Sequence, residues 1–150
     1  MSNRLFAAYG VGLNRAEMAK HCPTAKLIGT TELKNFKLAF CGGNACALAT
    51  IEKAKGSSVP ALLWEITPQD EAAFDRWIGV PEQYRKETIK VRWNGTTMEA
   101  FSYTLLGDKP LNRPSAFYYS TLLEGYKAAG FDTEILKAAV QGEIADKPIA

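Results

Sequence analysis

Apolar and polar residues alternate along several stretches of the chain, and this two-residue period is typical of half-buried β-strands. The predicted strands are Leu5–Tyr9, Lys26–Phe40 (one long or bent strand), Ala47–Glu52, Val59–Ile66, Tyr84–Trp93 and Thr97–Leu105. A Gly56-Ser57-Ser58 loop separates the third strand from the fourth. Asn94-Gly95 separates the last two, and this dipeptide is a strong signal for a β-hairpin.

Capping residues mark the beginnings of four helices. The predicted N-caps are Asn14, Thr67, Ser115 and Asp132, and the helices are predicted to end near His21, Trp77, Ala129 and Gln141. Glu17 follows Asn14 by three residues, as in a capping box. Strands through the first two-thirds and helices at the end indicate an α+β fold rather than a regular βαβ repeat. Because no linker or repeat divides the chain, we predict a single domain over residues 1–150.

Composition narrows the classes of partner. The 18 Lys and Arg residues nearly balance 16 Asp and Glu, which argues against a nucleic-acid polymer as ligand. No apolar stretch is long enough for a membrane span, and the first residues, Met1–Phe6, lack the apolar region of a secretory signal. The expectation is therefore a cytoplasmic protein without a membrane partner. Its oligomeric state is left open.

Motifs for metals and cofactors are missing from the sequence. Cys22, Cys41 and Cys46 form no Cys-x-x-Cys pair, and with one histidine they give neither the ligand number nor the spacing of a zinc site. Gly10-Val11-Gly12 is too short for a dinucleotide fingerprint, and the chain has no P-loop or nucleophile elbow. We therefore predict neither a metal nor a cofactor.

Several short motifs follow one another in a characteristic order. They are Ala8–Asn14 (reading AYGVGLN), Cys22–Ala25, Leu33–Leu38, Ala49–Ile51, Val59–Ile66, Asp75–Pro81 with Tyr84 beyond it, and Pro114–Tyr119. Together they resemble the γ-glutamylcyclotransferase-like family over most of the chain. The resemblance implies a small, mostly antiparallel or mixed β-barrel flanked by helices, with a pocket at the barrel mouth.

The resemblance also implies a chemistry and a set of site residues. In active members a Tyr-Gly-Ser-Asn loop presents backbone N–H groups to the α-carboxylate of a γ-glutamyl group. The glutamyl amine then attacks its own γ-carbonyl, closing 5-oxoproline and releasing an amine, while one glutamate moves the proton. The implied ligand-binding residues here are Tyr9, Gly10, Val11, Gly12, Leu13, Ile78, Tyr84 and Tyr118.

Two of these positions depart from the family pattern. Ile78 stands where the proton-moving glutamate is expected, immediately before Gly79, and Val11-Gly12 replaces Ser-Asn. Loss of a positioned acid or base typically costs about 10²–10⁴-fold in rate. This predicts a catalytically impaired protein that binds, and in that way sequesters, a small anionic ligand. A γ-glutamyl compound, an amino-acid-like molecule and a nucleotide-like molecule all remain candidates.

The alternative is an active cyclotransferase with a substitute acid or base. Asp75 lies one helical turn before Ile78, although it also fits a surface acid paired with Arg76 or Arg85. Glu82 lies in the loop just beyond, and Glu65 would be a candidate only if it pointed inward. A cavity filled by side chains, as the Tyr118–Leu122–Tyr126 spacing of a core stripe also allows, would instead indicate a protein-interaction module.

Overall fold

A computed structural model describes residues 3–43 and 45–145, with side chains to residue 140. The strands are β1 (Arg4–Ala8), β2 (Lys26–Cys41), β3 (Leu48–Ile66), β4 (Tyr84–Trp93) and β5 (Thr96–Leu105). The helices are α1 (Arg15–His21), α2 (Pro68–Ile78), α3 (Ala116–Ala129) and α4 (Glu134–Ala145), with a 3₁₀ turn at Val11–Leu13. Residues 1, 2, 44 and 146–150 of the predicted domain lie outside the described residues.

The strands form one mixed sheet in the order β2-β3-β1-β5-β4. β1 and β5 are parallel and the other neighbours are antiparallel. The predicted α+β class is confirmed. Within the described residues β2 and β4 do not pair as a ladder, so the sheet is not closed and "barrel" describes it only loosely. The two strands are joined by a side chain, since the Thr31 hydroxyl donates to the Arg92 carbonyl at 2.7 Å.

The prediction of two strands around Gly56 is wrong, because β3 runs unbroken for 19 residues. Gly56 adopts φ 88° and Asn35, opposite it on β2, adopts φ 67°. The Gly56 amide donates to Asn35 Oδ1 at 3.1 Å, and pairing resumes at Phe36 and Lys53. Glycine reaches positive φ without a steric penalty, so here it allows an irregularity in the ladder rather than ending the strand.

Three of the four predicted helix starts are confirmed by capping hydrogen bonds, and α4 begins at Glu134, one residue later than predicted. Asn14 Oδ1 accepts from the Glu17 amide at 3.1 Å, Thr67 Oγ1 from the Asp70 amide at 3.2 Å, and Ser115 Oγ from the Tyr118 amide at 3.1 Å. The predicted end of α4 near Gln141 is wrong, because the helix continues through Gly142 to Ala145. One glycine inside a helix costs only about 1 kcal/mol, which neighbouring turns can offset.

An aromatic cluster packs α2 against the sheet. The Phe6 ring stacks on Phe101 of β5 at 5.3 Å and meets Phe74 of α2 edge-on at 4.8 Å. Tyr103 joins them, 5.4 Å from both Phe6 and Phe74. Such offset and edge-to-face pairs are favourable beyond the apolar area they bury. This cluster fixes α2 against β1 and β5.

Candidate functional site

A cavity of about 250 Å³ opens between the 3₁₀ turn, the end of α2, the beginning of α3 and the adjoining sheet. Most of its wall is apolar or aromatic. The aromatic side chains are Phe6, Tyr9, Phe74, Trp77, Tyr84, Tyr103, Phe117 and Tyr118. The space is open rather than filled by core side chains, which favours a small-molecule site over a packed interaction module.

Most of the ligand-binding residues implied by the resemblance lie on this wall. They are Tyr9, Gly10, Val11, Gly12, Ile78, Tyr84 and Tyr118. Leu13 does not line the cavity, because it is fully buried beneath Gly125 of α3. Binding by these residues stays a prediction.

The 3₁₀ turn has free backbone donors but leaves no room for a side chain at Gly12. Its hydrogen bonds run from the Leu13 amide to the Gly10 carbonyl and from the Asn14 amide to the Val11 carbonyl. The amides of Gly10, Val11 and Gly12 have no partner within the turn, as at the start of any helix. A Cβ on Gly12 would lie 2.7 Å from that of Ala8. An asparagine here would therefore require its neighbours to move.

The tyrosine hydroxyls around the cavity bond to the protein itself. Tyr84 donates to the Ala49 carbonyl at 2.6 Å, and Tyr118 accepts from the Ala49 amide at 3.0 Å. Tyr9 donates to the Tyr103 carbonyl at 2.7 Å. Burial raises the pKa of Tyr9, Tyr84 and Tyr118, so these hydroxyls stay protonated. They therefore present aromatic surface, rather than free hydroxyl groups, to the cavity.

Asp75 is held by two partners beside the cavity. Its Oδ1 accepts from the Tyr103 hydroxyl at 2.6 Å, and its Oδ2 pairs with Lys86 at 2.8 Å. The predicted pairing with Arg76 or Arg85 is wrong: successive residues of β4 point to opposite faces, which places Lys86 toward α2 and leaves Arg85 with Glu87. Asp75 is not part of the cavity wall.

The other acidic candidates also lie away from the wall. Glu82 is exposed in the loop between α2 and β4. Glu65 is partly exposed, and its Oε2 accepts from Asn3 Nδ2 at 2.8 Å. The structure therefore brings neither Asp75, Glu82 nor Glu65 to the cavity that Ile78 lines.

The sequence model of the AIG2-like family matches residues 58–138, which is more than half of the chain. The chain belongs to the AIG2-like family. The matched region includes β4, β5, α2 and α3, and therefore Ile78, Tyr84, Tyr103 and Tyr118 of the cavity wall. No curated protein sequence matches the chain.

Solved structures similar to this AIG2-like protein share its fold. An uncharacterised human protein superimposes with a TM-score of 0.76 at 22% identity, over 99% of this chain and 90% of the other. A gamma-glutamyl cyclotransferase gives 0.76 at 23% identity, with the same coverage. YkqA from Bacillus subtilis gives 0.79 at 15% identity, over 100% of this chain and 57% of its own. The fold is thus that of gamma-glutamyl cyclotransferase.

Sequence reasoning missed one acidic residue that lines the cavity of this AIG2-like protein, Glu17. The sequence indicates only that Glu17 is a capping-box residue. In the structure Asn14 bonds its backbone amide, while the Glu17 carboxylate pairs with Lys20 at 3.0 Å and its side chain remains 29% exposed. Asn14 Nδ2 also donates to the Thr121 carbonyl at 3.0 Å, which ties α1 to α3 beside the cavity.

Phe117 is a second wall residue that the sequence did not single out. It stands in the first turn of α3 and is 83% exposed, whereas Tyr118 beside it is anchored to Ala49. A large apolar side chain exposed at the edge of a cavity is a common feature of ligand sites. The sequence could not identify Phe117, because the run Phe117-Tyr118-Tyr119 does not reveal which ring faces solvent.

Two other kinds of feature are absent from the part of the chain that the structure describes. No three His, Cys, Asp or Glu side chains of that part are grouped so that they could hold a metal ion. None of the helices it contains combines the length and the apolar character needed to cross a membrane.

Proposed function

We propose that this AIG2-like protein binds a small molecule in the cavity and has lost most or all cyclotransferase activity. One observation carries the proposal: Ile78, at the position where the resemblance implies the proton-moving glutamate, lines the cavity with a hydrocarbon side chain. Ring closure to 5-oxoproline requires a group that takes a proton from the attacking amine and delivers it to the leaving amine. Isoleucine can do neither.

Neither Asp75 nor Tyr103 is suited to that proton transfer. Asp75 would first have to leave both Tyr103 and Lys86. Tyr103 reaches the cavity itself, but burial, followed by the nearby Asp75 carboxylate, raises the pKa of its hydroxyl. A hydroxyl with a raised pKa is a weaker acid and is not deprotonated at neutral pH, so it cannot serve as the base.

The cavity retains features that suit a ligand. The amides of Gly10, Val11 and Gly12 have no partner within their turn and would favour a carboxylate or phosphate oxygen. The aromatic wall would accept an apolar body or a ring. At about 250 Å³ the cavity is smaller than the ~300–1,000 Å³ of sites for drug-sized ligands, which favours an amino-acid-like or γ-glutamyl ligand over a whole nucleotide.

The second candidate function is a cyclotransferase with a substitute base. Asp75 and Glu82 were the sequence candidates, but one is paired and the other is exposed outside the wall. The observation that favours this function is that Glu17, an acidic residue, lines the cavity. An active enzyme would therefore depend on Glu17.

The decisive experiment measures 5-oxoproline release by mass spectrometry from γ-glutamyl amines and dipeptides. The variants are the unmodified chain, Ile78→Glu and, as the matched control, Ile78→Gln, which is polar but cannot move a proton. We expect turnover only from Ile78→Glu. Calorimetry with the same compounds should detect binding to the unmodified chain.

Two outcomes would contradict the proposal. Turnover by the unmodified chain would do so directly, and its loss in Glu17→Gln, Asp75→Asn or Glu82→Gln would then identify the base. If the γ-glutamyl compounds do not bind the unmodified chain and Ile78→Glu shows no turnover, a γ-glutamyl ligand is excluded for this cavity.

A further inference from the structure

We propose that His21 and Trp77 form a proton-dependent clamp between α1 and α2, in which protonation of the imidazole strengthens its stack on the indole. His21 is the last residue of α1, and Trp77 lies in the last turn of α2. Their ring centroids are 3.9 Å apart and the two ring planes differ by 11°. The proposal goes beyond the proposed function, because it concerns the contact between two helices and requires no ligand.

The end of α1 is joined to α2 at two places, which respond differently to pH. At the beginning of α2 the Thr24 amide donates to Asp70 Oδ2 at 2.8 Å, and the Cys22 thiol donates to the Asp70 carbonyl at 3.4 Å. Burial raises the pKa of that thiol to about 12, so it stays protonated at neutral pH. At the end of α2 the contact is the stack of His21 on Trp77. A histidine side chain changes its charge between about pH 5 and pH 8, so this second contact is the one that a proton alters.

The acidic residues of α1 and α2 all have other partners. They are Glu17 with Lys20, Asp70 with Thr24, Glu71 with Arg4 and Lys86, and Asp75 with Lys86 and Tyr103. Arg15 and Arg76 are exposed, and the 3₁₀ turn, which also packs on α1, has no charged residue. A cation over the face of an aromatic ring is attracted by the ring quadrupole, most strongly for tryptophan. The group that a proton on His21 meets is therefore the Trp77 indole.

The clamp lies beside the cavity and is open to protons from solvent. His21 and Trp77 are both half-buried. Trp77 is one of the cavity-lining residues, as are Phe74 and Ile78 of the same helix, and its ring meets the Phe74 ring edge-on at 5.2 Å. His21 is outside this lining. The clamp thus acts on a helix that forms the cavity wall, through a residue that is not part of the wall.

Tryptophan fluorescence tests the proposal, because a protonated imidazole in contact with an indole quenches its emission. His21 is the only histidine in the chain, and the other tryptophans are Trp64 and Trp93. We expect the emission of the unmodified protein to fall as the pH is lowered from about 8 to 5. It should stay constant in His21→Phe, which keeps a stacked ring but binds no proton, and in Trp77→Phe, which removes the emitting ring. Circular dichroism at both ends of the titration checks that each variant is folded.

A double-mutant cycle measures the strength of the clamp. It compares the unmodified chain, His21→Gln, Trp77→Leu and the double variant by urea unfolding on the acidic and the alkaline side of the histidine titration. The coupling between the two positions, expressed as a ratio of unfolding equilibrium constants, should be about two- to fivefold larger on the acidic side, the range for a cation and an aromatic ring at a partly exposed site.

Two results would overturn the proposal. A fall in emission that persists in His21→Phe would mean that another group titrates, and equal coupling on both sides of the titration would mean that the proton adds nothing to the stack. Neither result bears on the proposed function, which is tested by ligand binding and by 5-oxoproline release.

Discussion

Gly125 of α3 and Leu13 of the 3₁₀ turn are in direct backbone contact: a Cβ at position 125 would lie 2.7 Å from both the carbonyl carbon and the Cβ of Leu13. Real Cβ atoms do not approach other atoms so closely. The contact holds α3 against the turn whose residues Gly10–Gly12 line the cavity, so the geometry of the cavity depends on a residue outside its lining.

Gly125→Ala should therefore destabilise the protein, although the same change inside an ordinary helix stabilises by about 1 kcal/mol. Overpacking against backbone typically costs about 1–3 kcal/mol, which outweighs the gain in helix propensity. Urea unfolding measures the difference. Ser120→Ala, at an exposed position of the same helix, is the control and should change stability by less than about 0.5 kcal/mol. A more stable Gly125→Ala would show that α3 does not dock as described.

A second prediction concerns two adjacent cations on β4. Lys86 pairs with Asp75 and Glu71, and Glu71 is only 7% exposed, whereas Arg85 pairs with Glu87 on the opposite face of the strand. Burial by itself would lower the pKa of Lys86, but its bonds to the two carboxylates raise it, so the charge is retained. Arg4 also pairs with Glu71, at 2.7 Å.

Lys86→Met should lower the free energy of unfolding by about 1–3 kcal/mol. This is less than the full cost of breaking a buried pair, because Lys86 is partly exposed and Arg4 remains. Arg85→Met, the matched control, should cost no more than about 1 kcal/mol, as is usual for an exposed pair. Chemical unfolding of both variants in parallel compares them. Equal costs would mean that the buried cluster contributes no more than a surface contact.

The three cysteines should react at very different rates. Cys46 is exposed, whereas Cys22 and Cys41 are buried. Burial, and then the nearby carboxylates of Asp70 and Asp75, raise the pKa of Cys22 to about 12, and burial also raises the pKa of Cys41. Because the thiolate is the reactive form, a thiol reagent at neutral pH should label Cys46 first. Mass spectrometry of peptides from briefly treated protein locates the label; early modification of Cys22 would contradict the burial of its thiol beside α2.

Alkaline pH should unfold the protein through its buried tyrosines. Burial is the main cause that raises the pKa of five of them: Tyr9, Tyr84, Tyr103, Tyr118 and Tyr126. In the unfolded chain the tyrosine hydroxyls ionise near pH 10. The stability that the five buried tyrosines contribute is therefore complete below that pH and is lost as the pH rises toward their higher native pKa values. The tyrosinate absorbance of these five side chains should therefore appear together with the loss of circular dichroism, not before it.

Tyr126→Phe provides a control for this titration. The Tyr126 hydroxyl is buried and has no hydrogen-bond partner among the described residues. Its removal should leave stability unchanged or raise it, since a buried polar group without a partner is unfavourable. The alkaline transition should keep its cooperativity and lose the absorbance of one tyrosine. Ionisation of more than one tyrosine ahead of unfolding, in either protein, would mean that the buried rings are accessible in the native state.

The local signals in the sequence were sufficient for most of the fold. Asn14, Thr67 and Ser115 cap helices because their short side chains bond the nearest free amides, an interaction that depends on few neighbours. The Asn94-Gly95 turn is equally local, with both residues at positive φ. Gly56 was misread because its effect depends on Asn35 across the ladder, and a pairing partner some twenty residues away is not visible in a local pattern.

The candidate site was less accessible to sequence reasoning. Ile78 and the 3₁₀ turn could be placed by the order of motifs that accompany them. Glu17 and Phe117 could not, because whether a helical residue faces a cavity depends on how α1 and α3 dock. The partner of Asp75 could not be predicted for the same reason. Alternation places Arg85 and Lys86 on opposite faces of β4, but only the packing of α2 decides which of the two pairs with Asp75.

The hydrogen bond from Thr31 to Arg92 bears on whether the protein associates with other molecules through the edges of its sheet. The outer strands of an open sheet expose backbone groups that can recruit a strand from another molecule. Here one of those carbonyls, on Arg92 of β4, is already occupied at 2.7 Å. Beside it the Trp93 indole packs so closely on Gly29 that a Cβ there would lie 2.5 Å from Nε1. At this point the two edge strands, β2 and β4, therefore protect each other from pairing with a strand of another molecule.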